Sequence, residues 1–190
     1  MSERALPNSR REFLARGALF AFLTGSGIQL LTPAEARAIG VPYRVLDKNQ
    51  VQTLESLAEV LLPGSAQRGI AHFIDTQLAA PPADSLLMIK YLGSNPPFTA
   101  FYTNGFAALN AAARHMHSRQ FTELSPPDAH ALVAAMSKGD IAGWNAPPPA
   151  SFFFVLRNDA VDVAYGTVEG FQDLGVPYMP HIVPPSRWGE

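Results

Sequence analysis

Proline is the feature that most limits what this chain can fold into. Seventeen prolines occur among its 190 residues, and most of them stand in clusters of two or three. Because proline lacks a backbone N–H and has a fixed φ, a cluster ends one helix or begins the next. The segments between clusters carry apolar residues at helical spacing, and no segment after residue 38 reads as a strand. The pattern predicts an all-α protein, a compact irregular bundle of about five to six helices.

Capping and helix-breaking residues set the bounds of these predicted helices. One helix follows the N-cap residue Asp47 and runs to Leu62. Another begins at Pro126, after a Ser125 cap, and stops at Gly139. The other predicted helices run near 70–79, 84–92 and 98–117, followed by a last long helix from a Ser151 cap to about residue 171.

The N-terminus carries a different pattern. Arg10 and Arg11 are followed by Phe13 and Leu14, and then by an uncharged apolar stretch, residues 17–31. A charged region, an apolar region and small-residue sites in this order are typical of an export signal. The paired arginines resemble the signal of the twin-arginine (Tat) route, which carries proteins already folded. The alternative is that they only begin an amphipathic surface helix.

This pattern divides the chain into a Tat-type signal peptide, residues 1–38, and one helical domain, residues 39–190. Small-x-small sites predict cleavage after Ala36 or Ala38, and a leader retained as an anchor is the alternative. A helix spanning 17–31 would rise only about 22 Å, less than the roughly 30 Å hydrocarbon core of a membrane. We therefore expect a periplasmic protein that is exported by the Tat translocase.

Charge and cysteine content exclude several classes of function. Nine basic and thirteen acidic residues follow residue 38, a net charge of −4. This leaves no basic patch for nucleic acid or for an anionic membrane surface. The chain has no cysteine, which excludes c-type haem attachment and cysteine-ligated iron–sulfur clusters within it. We expect no cofactor in this chain.

The histidines predict no metal site. His115 and His117 stand two residues apart, so on a helix their side chains point about 200° away from each other and cannot share an ion. His72, His130 and His181 lie on separate predicted elements. We interpret all five histidines as surface or packing residues.

The carboxylates predict no catalytic site either. Glu55 with Glu59, and Asp159 with Asp162, stand about one helical turn apart. We interpret both pairs as solvated helix faces rather than acid–base dyads. The chain has no G-x-S-x-G or G-x-G-x-x-G motif. No catalytic, cofactor-binding or metal-binding residue is assigned.

Two aromatic segments predict contact with another protein. The run from Phe152 to Phe154 spans about 200° of a helix, so its three rings cannot all face one interior. The prolines of the C-terminal tail, residues 176–190, predict an extended and stiff segment, and a rigid segment loses little entropy on docking. Packing of the tail onto its own bundle is the alternative. The predicted interface residues are Phe152, Phe154, Tyr178, Met179, His181 and Trp188.

Several motifs in the helical part resemble, in their order and spacing, the gluconate 2-dehydrogenase subunit 3 family. This family comprises small subunits of membrane-associated flavin dehydrogenases. The motifs are Leu61-Leu62-Pro63-Gly64 and residues 69–78, 106–114, 121–126, 152–157 and 168–171.

The resemblance implies a heteromer. Its large subunit would be a glucose-methanol-choline (GMC) type flavoprotein that oxidises a sugar, sugar acid, glycoside or polyol with FAD. A c-type cytochrome, carrying haem c, would take the electrons onward. The small subunit would be non-catalytic, would stabilise the flavoprotein and would supply the Tat signal for both. The alternatives are an independent periplasmic enzyme, for instance one using His181 and Asp173, and a membrane-tethered scaffold that retains its leader.

Overall fold

A computed structural model describes residues 20–25 and 27–176, with Val168 and Glu169 described by their backbone alone. A short hairpin precedes a bundle of helices, and the expected all-α class is confirmed. A 3₁₀ turn, Phe121–Glu123, follows the fifth helix. The elements are β1 (Phe20–Thr24), β2 (Gly27–Leu31), α1 (Pro33–Ala38), α2 (Lys48–Leu61), α3 (Ile70–Ala79), α4 (Met88–Tyr91), α5 (Thr99–His117), α6 (Pro126–Lys138), α7 (Pro149–Tyr165) and α8 (Val168–Asp173).

The helix α7 is the centre of the bundle. It packs against α2, α3, α4, α5, α6 and α8. Because other helices cover one side of it, its buried residues occupy about half of its circumference. Its fully buried apolar side chains are Phe152, Val155, Leu156 and Ala160.

Side-chain caps fix the bounds of α2 and α6, as the sequence predicts. The carboxylate of Asp47 accepts the Gln50 amide at 2.9 Å, and the Gln50 side chain accepts the Asp47 amide at 2.9 Å. Ser125 caps α6, which ends at Gly139 in the left-handed conformation, with φ +74°. These reciprocal and terminal contacts satisfy backbone groups that a helix end leaves unpaired.

The prediction for the last long helix is wrong at both ends. The N-terminal end of α7 is Pro149 rather than the residue after Ser151, because proline is well suited to the first helical position. The same helix ends at Tyr165, since the Thr167 hydroxyl accepts the Gly170 amide at 3.0 Å and caps a separate helix, α8.

The helix expected over residues 84–92 forms only from Met88 to Tyr91. Turn bonds and side chains, rather than a continuous run of helical bonds, satisfy the backbone before it. The Lys90 ammonium donates to the carbonyls of Ala83 and Ser85, at 2.6 and 3.0 Å. This leaves α4 as a single turn.

The hairpin lies within the segment that the sequence assigns to the leader. Its register pairs Phe22 with Gln29 and Leu23 with Ile28. The side chain of Phe22 faces the helices and is buried, whereas those of Leu23 and Ile28 are 63% and 76% exposed. Because both faces are largely apolar, no polar–apolar alternation reveals the strands. Among the described residues, no helix is long and apolar enough to cross a membrane.

Candidate functional surface and buried polar sites

Most of the predicted functional residues lie outside the part of the chain that the structure describes. These are the predicted export residues Arg10, Arg11, Phe13 and Leu14 and the predicted tail contacts Tyr178, Met179, His181 and Trp188. Their roles stay predictions.

Phe152 belongs to the core, which corrects its prediction as an interface residue. Its side chain is 0% exposed, and its ring centroid lies 5.8 Å from that of Phe101, 5.7 Å from Phe106 and 6.1 Å from Trp144. A Cβ at Gly105 would overlap this ring, so the missing side chain of Gly105 makes room for it. The neighbouring helices cover this side of α7 completely.

Phe154, two residues later, points the other way. It is 45% exposed, and Val161 on the same outward side of α7 is 37% exposed. A second group of exposed apolar residues lies on the outer face of the hairpin, where the register brings Leu23, Ile28 and Leu30 together. Exposed apolar groups of this kind are candidate contact points for another protein. Contact between Phe154 and a partner stays a prediction.

Asp159 lies in the core rather than on a solvated face, so the sequence interpretation is wrong for this residue. Its side chain is 0% exposed. Its Oδ1 accepts the Met88 amide at 2.9 Å and its Oδ2 accepts the Tyr102 hydroxyl at 2.7 Å. Burial raises the pKa of Asp159 to about 7. Burial also raises the pKa of Tyr102 well above 10, so its hydroxyl keeps its proton as the donor.

This carboxyl group should make stability depend on pH. Its pKa is higher in the folded state than in the unfolded chain, so the stabilisation from its proton is complete below about pH 4 and is lost as pH rises to about 7. Asp159→Asn removes this titration. Between pH 8 and pH 5 we expect the wild type to gain roughly 2–3 kcal/mol in unfolding free energy relative to the variant. Urea unfolding at the two pH values measures the gain, and a pH-independent difference would contradict it.

Asp75 fixes the loop between α1 and α2. Its Oδ2 accepts the Arg44 amide at 2.9 Å, and its Oδ1 accepts the amides of Val45 and Leu46 at 2.9 and 2.8 Å. The side chain is only 3% exposed. A buried carboxylate that satisfies three consecutive amides is a structural clamp, since bonds to an ionised acceptor are about twice as strong as neutral ones.

His72 lies one turn before this clamp and is a packing residue, as expected. Its Nε2 lies 2.9 Å from the Val41 carbonyl, which can only accept, so Nε2 carries the proton. Its Nδ1 is then free to accept the Tyr43 hydroxyl at 3.3 Å. Burial lowers the pKa of His72 and raises the pKa of Tyr43 to about 12. The pair is therefore neutral and holds the same loop.

The glutamates of α2 are also structural rather than simply solvated. Glu59 accepts the amides of Gly64 and Ala66 at 2.9 Å each, which orders the turn that follows the helix. Glu55 forms an ion pair with Arg37 of α1, with Oε1 and Nε 3.1 Å apart. Both carboxylates are engaged in these contacts.

Within the described ranges, no three His, Asp or Glu side chains are grouped so that they could hold a metal ion. Asp173, a candidate in the alternative of an independent enzyme, pairs with Arg68. The buried polar groups described above thus form hydrogen bonds within the chain, and several apolar side chains are exposed on its surface. These features define the class of protein by its architecture: a small helical bundle with exposed apolar side chains.

A comparison with protein-family models shows which family the chain belongs to. The model for gluconate 2-dehydrogenase subunit 3 matches residues 48–184, from the first residue of α2 onward. The match covers more than half of the chain, so the protein belongs to this family and is a subunit of a gluconate 2-dehydrogenase-like dehydrogenase complex. No curated protein and no solved structure matches the chain.

Proposed function

We propose that this chain is the exported, non-catalytic small subunit of a periplasmic or membrane-associated FAD-dependent dehydrogenase. Its large subunit is a GMC-type flavoprotein that oxidises a sugar, sugar acid or glycoside. The small subunit stabilises this flavoprotein and carries it through the Tat translocase. The observation that carries the proposal is a twin-arginine run, Arg10-Arg11, ahead of a chain that belongs to a dehydrogenase-subunit family.

The proposed subunits have separate roles, which follow from the chemistry of each. FAD is bound and used by the large subunit, and a c-type cytochrome with haem c passes the electrons onward. A flavoprotein must fold around its cofactor before export, and the Tat route accepts folded cargo. One signal on the small subunit then exports both chains, provided that they associate in the cytoplasm.

The proposed contacts with the flavoprotein combine the exposed apolar groups with the tail. Phe154 presents an aromatic ring on α7, and the outer face of the hairpin presents Leu23 and Ile28. The tail from residue 177 has aromatic residues between prolines, which we expect to stiffen its backbone. Aromatic anchors of this kind contribute most of the binding energy at protein interfaces.

Replacing the arginine pair by lysines tests the export role. We expect Arg10→Lys with Arg11→Lys to keep the co-expressed flavoprotein, and its FAD, in the cytoplasm, because the pair is the signal for both chains. Immunoblots of cytoplasmic and periplasmic fractions, with dehydrogenase activity in each, measure the distribution.

The matched control replaces the two arginines that flank the pair, Arg4→Lys with Arg16→Lys. It makes the same number of charge-conserving changes in the same segment, and the flavoprotein should still reach the periplasm. Export of the flavoprotein by the Arg10/Arg11 variant at the level of this control would show that the proposed role is wrong.

A further inference from the structure

The hairpin and α1, which together cover residues 20–38, lie against the helical body. The ring of Phe20 meets the ring of Phe73 edge-on, with centroids 5.6 Å apart. Phe22 is only 5% exposed and lies beside the ring of His72, with centroids 6.2 Å apart. Both contacts join β1 to α3, in the part of the chain that the sequence assigns to a removable leader.

The approach of α1 to α3 is close enough to require glycine. Gly69, immediately before α3, has a φ of +83°, and a Cβ there would overlap the backbone carbonyl of Pro33. Any other residue would have to displace the first turn of α1. With α1 packed in this place, position 69 therefore has no room for any residue other than glycine.

The end of α1 also ties the following loop to the body. The Val41 amide donates to the Ala36 carbonyl at 2.9 Å, and the Val41 carbonyl accepts from His72. The ion pair of Arg37 with Glu55 joins α1 to α2. Residues 33–41 therefore contact both α2 and α3.

Both predicted cleavage sites lie in this packed segment. Ala36 is 0% exposed and lies within α1, and Ala38 is the last residue of that helix. A strand-like binding mode requires an extended peptide with accessible backbone groups, which a helix does not offer. Ala38 and Ile39 are themselves exposed, but the residues before both bonds are held in α1, so an extended cleavage site forms only if this helix unwinds.

We infer that residues 20–38 are a permanent part of the folded subunit, so that the mature chain retains them and begins at or before Phe20. The hairpin and α1 then complete the packing around α3. The exposed outer face of the hairpin remains part of the exported protein. The packing itself does not depend on the proposed export route; only the N-terminus of the exported chain does.

Two glycines in the full-length chain provide a matched stability test. Gly69 and Gly93 both have left-handed φ values, +83° and +73°, but a Cβ at Gly93 would meet nothing within 4 Å. Alanine strains the backbone at either site, and only Gly69→Ala must also displace α1. We expect the folding equilibrium constant to fall at least tenfold more for Gly69→Ala than for Gly93→Ala. If only the Gly69→Ala variant failed to fold, this result would also support the inference. Equal losses of stability in the two variants would overturn it.

The intact mass of the exported wild-type protein tests the N-terminus directly. We expect a mass that corresponds to a first residue at or before Phe20. A chain that begins at Arg37, at Ile39 or anywhere else after Phe20 would overturn the inference. A chain that never leaves the cytoplasm would instead contradict the proposed export, and the glycine pair would still decide whether residues 20–38 belong to the fold.

Discussion

Replacing Asp75 by alanine should destabilise the chain by about 3–5 kcal/mol, because three backbone amides lose their common acceptor at once. The Leu46 amide is buried, and the amides of Arg44 and Val45 are partly buried, so water replaces the carboxylate poorly. A typical domain has only about 5–15 kcal/mol of stability, so the loss is a large fraction of the total. Urea unfolding followed by circular dichroism measures it.

Asp75→Asn is the matched control for this prediction. It keeps the shape of the side chain and one acceptor oxygen, which can still serve Val45 and Leu46. We expect a loss between that of alanine and zero. A loss of less than about 1 kcal/mol for Asp75→Ala would show that the clamp does not stabilise the loop.

The second large effect is expected at Phe152. Truncation to alanine should reduce the unfolding free energy by about 3–5 kcal/mol, because it removes a fully buried ring and leaves a cavity. Gly105, which makes room for this ring, has no side chain to fill the space. The rings of Phe101, Phe106 and Trp144 would lose their common neighbour.

Phe154→Ala makes the same chemical change on the same helix, two residues away. Because Phe154 is 45% exposed, its truncation should cost less than about 1 kcal/mol in the isolated chain. Thermal and urea unfolding of the two variants compare them directly. Similar losses for both would contradict the assignment of one ring to the core and the other to the surface.

The helix bounds that the sequence predicts well are those with a local cause. Asp47 and Ser125 cap their helices through bonds to residues three positions on, and Gly139 ends α6 with a left-handed residue. Such signals lie within one turn of chain and can be read without knowing the fold. The family motifs, also local, led to the correct family.

The features that the sequence does not predict depend on contacts between distant residues. Asp159 is acidic and looks solvated, yet its partners Met88 and Tyr102 lie 71 and 57 positions away. One local signal exists: Asp159 lies at helical spacing from the buried Leu156 and Val163 and so shares their face. Asp75 likewise depends on a loop about thirty residues away.

In the proposed function this chain escorts a flavoprotein partner out of the cytoplasm. The most direct test is the amount of FAD-containing flavoprotein in the periplasmic fraction of cells that express the flavoprotein with or without this chain. We expect periplasmic flavoprotein only when this chain is present with Arg10 and Arg11 intact. Equal amounts of periplasmic flavoprotein in the presence and absence of this chain would contradict it.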